Sequence, residues 1–345
     1  MIDIQKWYEY PSIDETEIIS SRVRLARNLA KYPFCLRLNN ESARNIIADA
    51  KSSLMGLNPY PGLVLCYIDL YEKTFGELKE LSEKHTISPV MVNKSSLRAL
   101  LHNEEENLSI MLNEEDHVRI QSIFVGQDLE KAYNHAAKID DLMSENLEFA
   151  FDPEFGYLTS CPTNTGTGLR ASYMLHLPVL EHTGNLKVYA DFIAKAGFAI
   201  RGAHGEGSEP MGSLYQVSNQ ITLGKSEEET ISALKHLAVQ IIEKETQLRE
   251  RILSEYYKET EDTVWRACGI LENCRKLSLR EGMKLLSDFR CGRIMGILQK
   301  QINTGTIYNL MLNIQPHNLQ RIMGKAVDIR HEDALRADYV RSAMR

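Results

Sequence analysis

The chain has 345 residues, 43% of them hydrophobic, which is enough for one large domain with a substantial core and a smaller second domain. Its formal net charge of −7 argues against non-specific nucleic-acid binding by the whole chain, although it leaves room for a basic pocket. No apolar stretch approaches the roughly 18 residues of a membrane-spanning helix, and the first residues lack the pattern of a signal peptide. We therefore expect no membrane contact.

Six cysteines, at positions 35, 66, 161, 268, 274 and 291, form no Cys-x-x-Cys pair and have no histidine spacing suited to zinc. They predict reduced thiols in a cytoplasmic protein.

The first two-thirds of the chain mixes short strands with helices. Residues 63–68 and 120–125 are short runs rich in β-branched or aromatic residues and predict strands. Residues 128–146 have the spacing of an amphipathic helix. A further helix is predicted over 169–177, with Pro178 ending it.

After Gly224 the pattern becomes helical. Ser226 followed by three acids predicts the start of a long helix that runs to about Ile252. A capping box at Ser278 and Glu281 predicts another helix start. Residues 226–345 carry almost no strand signal, so we expect an all-helical C-terminal domain, placed at 246–345.

Residues 20–24 carry two arginines at alternate positions. In an extended segment Arg22 and Arg24 lie on the same side, because side chains on a strand repeat every two residues. Two neighbouring guanidinium groups repel each other unless an anion lies between them. A solvated edge strand is the alternative explanation of this segment taken alone.

Residues 113–119, Asn-Glu-Glu-Asp-His-Val-Arg, join three consecutive acids to Arg119 and lead into the strand predicted at 120–125. Consecutive acids are most often a solvated turn. Here the apolar strand fixes them against the core, and a carboxylate held there can orient a guanidinium through two parallel hydrogen bonds.

Residues 161–170, Cys-Pro-Thr-Asn-Thr-Gly-Thr-Gly-Leu-Arg, form a small-residue segment whose glycines let the backbone approach an anion closely. It is not a Walker loop, because no Gly-Lys-Ser/Thr follows, and a plain loop is the alternative. Residues 201–209 begin with Arg201 and are rich in glycine, which predicts a mobile loop that carries Arg201 toward phosphate and Glu206 toward a substrate. A surface loop with incidental charges would explain them too.

Together these segments closely resemble the motifs of the phosphagen (guanidino) kinase family. The family motif Cys-Pro-Thr/Ser-Asn-x-Gly-Thr-Gly-x-Arg is present whole at 161–170, and the acidic motif at 113–119 is unchanged. The paired arginines match Arg22 and Arg24, and the arginine-led loop matches at Arg201 and Glu206. The resemblance covers residues 15–245 and implies an α+β catalytic domain, with a mostly antiparallel sheet flanked by helices.

The resemblance also implies roles for individual residues. Five arginines surround the nucleotide phosphates in the family, and they match Arg22, Arg24, Arg119, Arg170 and Arg201. Glu115 matches the carboxylate that orients the substrate guanidinium and acts as base, and Glu206 matches a second carboxylate. Cys161 matches the reactive cysteine beside the guanidinium.

Nucleotide contacts are expected over three segments and at two single residues, His85 and Arg119. These are Ser20, Ser21, Arg22, Val23 and Arg24; His85; Arg119 with Arg170, Ala171, Ser172, Tyr173 and Met174; and Arg201, Gly202, Ala203, His204, Gly205 and Glu206. The implied cofactors are ATP and Mg²⁺. The metal is expected to be carried by the nucleotide, with no ligands from protein side chains.

The position of the paired arginines separates the branches of the family. Members that act on creatine or free arginine have a helical domain before these arginines, and it caps the small substrate. Here Arg22 lies near the first residue, so we expect that domain to be absent and the site to admit an arginine within a polypeptide. The helical region after the catalytic domain is similar to that of the McsB family of bacterial protein-arginine kinases.

That similarity implies partners. They are protein substrates with exposed arginines, a Clp-type ATPase and protease that degrades the marked proteins, a heat-shock repressor and a zinc-binding activator protein. Self-association to a homo-oligomer is also expected.

One motif departs from the family. The C-terminal phosphoarginine-binding motif is Arg-Asp-x-x-Arg-Ala in the family, but this chain has Glu332 in the first position. We still expect Asp333 and Arg336 to line a phosphoarginine pocket. Arg330 falls on the same helical face and is a candidate replacement for the missing arginine. An ordinary charged helix surface is the alternative.

Three other functions remain open from the sequence. One is a kinase for free arginine or another small guanidine. Another is an inactive adaptor that binds phosphoarginine, although the retained arginines with Glu115 and Glu206 argue against it. The third, a nucleotide-binding regulator, leaves the two glutamates without a role.

Overall fold

The computed structural model describes residues 5–10, 16–55, 63–93, 97–203, 210–299, 302, 304–324 and 331–345. The strands within these residues are β1 (Ile18–Arg27), β2 (Leu65–Asp69), β3 (Ala99–Asn103), β4 (Leu108–Leu112), β5 (Val118–Val125), β6 (Phe151–Asp152), β7 (Gly156–Tyr157), β8 (Leu169–His176), β9 (Phe198–Gly202) and β10 (Leu214–Asn219). The helices are α1 (Asn40–Met55), α2 (Phe75–Glu83), α3 (Leu129–Ser144), α4 (Pro178–His182), α5 (Asn185–Lys195), α6 (Glu227–Glu255), α7 (Tyr257–Asn273), α8 (Leu279–Ile294), α9 (Thr304–Asn313), α10 (Pro316–Met323) and α11 (Glu332–Ala343).

Eight strands form one mostly antiparallel sheet in the order β2-β3-β4-β5-β1-β8-β10-β9. Strand β3 pairs with β4 so that Ala99 faces Leu112, and β4 pairs with β5 so that Leu112 faces Val118. Every residue of β4 is buried, and α3 packs on β5 with its apolar face. Strands β6 and β7 form a separate two-stranded hairpin. The family's sheet architecture, predicted from the motifs, is confirmed.

The chain divides into two compact units. The first contains Met1–Trp7, Ser21–Ser172 and Ser218–Leu234, and the second contains Tyr8–Ser20, Tyr173–Val217 and Lys235–Arg345. The paired arginines, the acidic motif and the segment 161–170 all belong to the first unit.

Most of the elements predicted from the sequence are confirmed. Strands β2 and β5 and helix α3 lie where the patterns placed them. Helix α6 begins after Ser226, which accepts a hydrogen bond from the amide of Glu229, while the Glu229 carboxylate accepts one from the amide of Ser226. From Ser226 onward the described residues form helices and no strand.

The helix predicted over 169–177 is wrong. Residues 169–176 form strand β8, and Pro178 begins helix α4 instead of ending a helix. Strand β8 lies between β1 and β10, and all its residues except Arg170 are buried. A strand buried on both faces lacks the alternation of polar and apolar residues by which strands are predicted. A run of residues with helical propensity at such a place therefore predicts a helix. Proline is suited to the first position of a helix, because an N–H group there would make no hydrogen bond within the helix and its loss costs nothing.

In the second unit a buried carboxylate holds the start of α4. Glu245 on α6 accepts hydrogen bonds from the amides of Val179 and Leu180, at 2.9 and 2.8 Å. Burial raises the pKa of Glu245 to about 7, although the two amides and Arg249 act in the opposite direction.

This carboxylate predicts a pH dependence of stability. Its folded-state pKa of about 7 lies above the unfolded value of roughly 4.3, so its contribution is fully present below pH ~4 and is lost as the pH rises through 7. Between pH 5.5 and 8 we expect the free energy of unfolding to fall by about 1–2 kcal/mol more in the parent chain than in Glu245→Gln. Urea denaturation at a series of pH values measures this; parallel pH profiles would contradict it.

Candidate active site

Two arginines on β1 share one face of the strand. Arg22 and Arg24 are half-buried, while Val23 between them is fully buried, as expected where successive side chains point to opposite faces. Ser21, which precedes them, has a structural partner: its hydroxyl donates to the carbonyl of Gly126 at 2.6 Å and accepts from the amide of Asp128 at 2.8 Å.

Two further arginines lie on the strands that flank β1. Arg119 is on β5 and Arg170 is on β8, and the sheet order β5-β1-β8 makes both strands neighbours of β1. Adjacent strands are about 4.8 Å apart, so the sheet gathers four guanidinium groups into one cluster. We call Arg22, Arg24, Arg119 and Arg170 the arginine cluster.

The arginine cluster has an excess of positive charge. The pKa of Arg24 lies well below its ordinary value, first because of burial and then because Arg22, Arg119 and Arg170 repel its charge, with Glu114 alone opposing them. The Nε atom of Arg24 is buried and has no hydrogen-bond partner among the described residues. A polyphosphate would relieve the repulsion and supply acceptors, so these residues fit a nucleotide.

The two glutamates of the acidic motif have different environments. Glu114 is buried and binds Arg119 at 2.6 Å, whereas the Glu115 side chain is 42% exposed and lies 3.4 Å from the same guanidinium. Burial by itself would raise the pKa of Glu114, but Arg119, the Ser88 hydroxyl, the amide of Glu115 and Arg24 outweigh it and lower that pKa. Glu114 therefore anchors Arg119, and Glu115 faces outward.

The other polar residues of the motif are structural. Asp116 accepts hydrogen bonds from the Asn28 amide group and from the amide of Ser160, each at 2.7 Å. His117 is fully buried and accepts from the amide of Leu29 at 3.0 Å. Burial lowers the pKa of His117, more than Pro33 and Asp116 raise it, which favours the neutral ring. Of residues 113–119, Glu115 alone is exposed.

The segment 161–170 lies against Glu115. A short 3₁₀ turn, Pro162–Asn164, follows Cys161, whose Sγ lies 3.0 Å from the Thr163 hydroxyl. The Asn164 side chain lies at 3.4 Å from the Glu115 carboxylate, within donating distance. The Thr222 hydroxyl contacts the carbonyl oxygens of Thr163 and Thr165 at 2.9 and 2.7 Å and fixes the turn.

Gly166 gives a testable consequence of this close packing. Its φ of +117° is rarely adopted by other residues, and an added Cβ would lie 2.2 Å from the carbonyl oxygen of Thr222. We expect Gly166→Ala to lower the free energy of unfolding by more than about 2 kcal/mol. Gly224→Ala is the control, because Gly224 has a φ of +76° and an added Cβ would meet no atom within 4 Å. Its loss in the free energy of unfolding should stay at ~1 kcal/mol. Thermal unfolding compares the two; equal losses would contradict the packing argument.

The remaining predicted contacts are only partly described. His85 follows α2 with a positive φ of 62°, and its carbonyl accepts from the Gln121 side chain at 2.7 Å. Ser20, Ala171, Ser172, Tyr173 and Met174 are buried within β1 and β8. Arg201 and Gly202 end β9 in the second unit, followed by Ala203. His204, Gly205 and Glu206 lie outside the described residues.

The C-terminal motif is also in the second unit. Arg336 is 1% exposed, and its guanidinium donates to the carbonyls of Leu277 and Ile314 and to Asp333. The remaining nitrogen binds Glu332, the acid that replaces the family's arginine. Arg336 therefore has internal partners on each of its nitrogens. Arg330 lies outside the described residues, so the phosphoarginine pocket stays a prediction.

Sequence patterns alone did not single out Glu114, Asp116 or Thr222. Their importance comes from contacts with distant residues, such as Asp116 with Ser160. No group of three or more histidine, cysteine, aspartate or glutamate side chains suited to a metal ion occurs within the described ranges. In the same part of the chain, no helix is both long and apolar enough to cross a membrane.

Two family models match this chain. The model of the ATP:guanido phosphotransferase C-terminal catalytic domain matches residues 60–248, and that of the protein-arginine kinase McsB C-terminal domain matches residues 257–345. The catalytic model therefore covers the acidic motif, the segment 161–170 and Arg201.

Individual relatives agree with the family models. A protein-arginine kinase from Clostridium kluyveri is 45% identical over 328 residues, which are 95% of this chain and 94% of that protein. Another, from Clostridium acetobutylicum, is 40% identical over 99% of this chain and 100% of its own length. The crystal structure of lombricine kinase superposes with a TM-score of 0.59 at 28% identity and covers 69% of this chain and 68% of that one. This chain therefore belongs to the ATP:guanido phosphotransferase family, in its protein-arginine kinase branch.

Proposed function

We propose that this chain transfers the γ-phosphoryl group of Mg-ATP to arginine side chains of proteins, with Glu115 as the general base. The observation that carries the proposal is the arrangement around Glu115. It is the one exposed residue of the acidic motif, and it lies beside Arg119 at the margin of an arginine cluster that fits a polyphosphate. The names of the similar proteins support the same activity.

The arginine cluster would hold the nucleotide. Phosphoryl transfer needs positioning and charge neutralisation more than covalent help from the protein. Arginines fixed by a sheet supply positive charge without reorganising during the reaction. Magnesium bound with the nucleotide would share the charge on the β- and γ-phosphates. Arg201 is proposed as the fifth phosphate ligand, on the strength of the sequence motif.

Glu115 would act on the acceptor. An arginine guanidinium has a pKa of roughly 12.5 to 13.8 and is a poor nucleophile while protonated. As one of its nitrogens forms the N–P bond and the bond from phosphorus to the leaving ADP oxygen breaks, the Glu115 carboxylate accepts the proton that the nitrogen loses. Asn164, at 3.4 Å, helps to orient that carboxylate. Glu206 as a second carboxylate and Cys161 beside the guanidinium are further parts of the proposal.

The wider assignment is also proposed. We divide the chain into a catalytic domain at 15–245 and a helical domain at 246–345, a division supported by the adjacent ends of the two family models. The helical domain would recognise substrate or phosphoarginine through Asp333 and Arg336, with Arg330. The proposed setting is cytoplasmic, with a Clp-type ATPase and protease, a heat-shock repressor, a zinc-binding activator and self-association as its partners.

A comparison of acceptors tests the proposal. ADP release is measured with Mg-ATP and either free arginine or an unfolded arginine-rich protein, with that protein's lysine-substituted version as the control. We expect ADP release with the arginine-rich protein only. Release with free arginine alone would assign the chain to small guanidines, and phosphoarginine binding without ADP release would indicate an adaptor.

A further inference from the structure

A groove of about 450 Å³ lies beside the β6–β7 hairpin, in the first compact unit. We call it the hairpin groove and define it by Phe151, Glu154, Phe155, Tyr157, Leu223 and Glu227. Gly166 and Thr167, from the segment 161–170, also line it.

Several contacts hold the hairpin that forms one side of the groove. The Asp152 carboxylate accepts hydrogen bonds from the amides of Glu154 and Phe155, at 2.8 and 3.0 Å, and so closes the turn. The guanidinium of Arg27 stacks 3.5 Å from the centre of the Tyr157 ring. Arg27 is itself held by a buried ion pair with Asp140 at 2.7 Å. These contacts hold the hairpin wall of the groove in place within the fold.

Several apolar side chains that line the groove are exposed to solvent. Phe151, Phe155 and Leu223 all line the groove, and they are 58%, 46% and 48% exposed. Exposed apolar clusters of this kind mark binding surfaces.

The charges of the groove select a cation. Three carboxylates line it, those of Glu154, Glu227 and Glu229, against the single ammonium of Lys225. Aromatic faces combined with carboxylates attract guanidinium and ammonium groups, and they disfavour phosphates.

The groove is linked to the candidate active site. Thr222, which lines it, contacts the carbonyls of Thr163 and Thr165, and Asn164 between them contacts Glu115. Gly166 follows Asn164 by two residues, so the chain separates the two positions by at most about 7 Å. A polypeptide with its acceptor at Glu115 could reach the groove within a few residues.

We propose that the hairpin groove binds a basic side chain of the substrate polypeptide, a few residues from the acceptor arginine. The inference rests on the proposed function and adds a sequence preference to it. Phe151 and Phe155 supply the apolar faces for the side chain, and Glu154 and Glu227 supply the opposite charge.

Peptides with one acceptor arginine in a glycine-serine background test this preference. Lysine, serine or glutamate is placed three to five residues to either side, and lysine cannot itself be the acceptor. For the parent chain we expect kcat/KM to be about 3- to 10-fold higher with lysine than with serine, and lowest with glutamate. The double variant Glu154→Lys, Phe155→Ser should abolish the preference for lysine, while its kcat/KM for the serine peptide should change less than twofold. Both residues are exposed in the turn, so the fold should be retained.

The control is Glu148→Lys, which reverses the charge of an exposed glutamate that does not line the groove. It should keep the lysine preference. If the parent chain phosphorylates all three peptides equally, or if the groove variant keeps the preference, the groove proposal is overturned and the proposed function stands. If no peptide or unfolded protein is phosphorylated, the proposed function fails and the groove proposal fails with it.

Discussion

Glu115→Gln is expected to lower kcat by about 10²- to 10⁴-fold while leaving the dissociation constant for Mg-ATP within about threefold of the parent value. Glutamine keeps the size of the side chain but cannot accept the proton from the acceptor guanidinium. Nucleotide binding should survive because Arg119 retains its stronger contact, with Glu114 at 2.6 Å, and loses only the 3.4 Å contact with Glu115. Steady-state kinetics and equilibrium nucleotide binding provide the two measurements.

Glu148→Gln is the matched control, because it makes the same change at an exposed position outside the candidate site. It should leave both quantities unchanged. Residual activity of more than a few per cent in Glu115→Gln would exclude Glu115 as the base. A large loss of nucleotide affinity would show that Glu115, rather than Glu114, holds Arg119 in place.

Arg24→Met is expected to weaken Mg-ATP binding by about 10- to 100-fold without lowering the stability of the nucleotide-free protein. The charge of Arg24 is disfavoured by burial and by three neighbouring arginines, so its removal relieves repulsion when no anion is bound. When the nucleotide binds, the same charge becomes favourable. Calorimetry should therefore show weaker Mg-ATP binding, whereas thermal unfolding without nucleotide should show no loss of stability.

Arg44→Met is the control for Arg24→Met, since Arg44 is an exposed arginine on α1. It should alter neither binding nor stability. Unchanged Mg-ATP affinity in Arg24→Met would remove the arginine cluster from the nucleotide site. A strongly destabilised nucleotide-free protein would show that Arg24 serves the fold instead.

The residues of the site could be named from the sequence because they lie in short motifs. The extended segment at Arg22 and Arg24 and the turn at Glu115 have local signals that the structure reproduces. Their mutual arrangement depends on sheet order, which places β1 between β5 and β8. No local pattern specifies that order, because strand neighbours are chosen by long-range packing.

Three features escaped sequence reasoning for physical reasons. Strand β8 is buried at every position but Arg170, so tertiary burial overrode the helical propensity of its residues. Glu114 is buried against Arg119 and Glu115 is exposed, and which of the two faces inward depends on the orientation of the strand that follows them. Similarly, the contact of Glu332 with Arg336 emerges only once α11 packs beside Leu277 and Ile314.

Phosphorus NMR tests the central claim most directly. The protein is mixed with Mg-ATP and an unfolded arginine-rich protein, or with free arginine, and Glu115→Gln is run in parallel. We expect an acid-labile phosphoramidate signal on the protein substrate, no such signal on free arginine, and none with Glu115→Gln. A signal on free arginine alone, or an undiminished signal with Glu115→Gln, would contradict a protein-arginine kinase that uses Glu115 as its base.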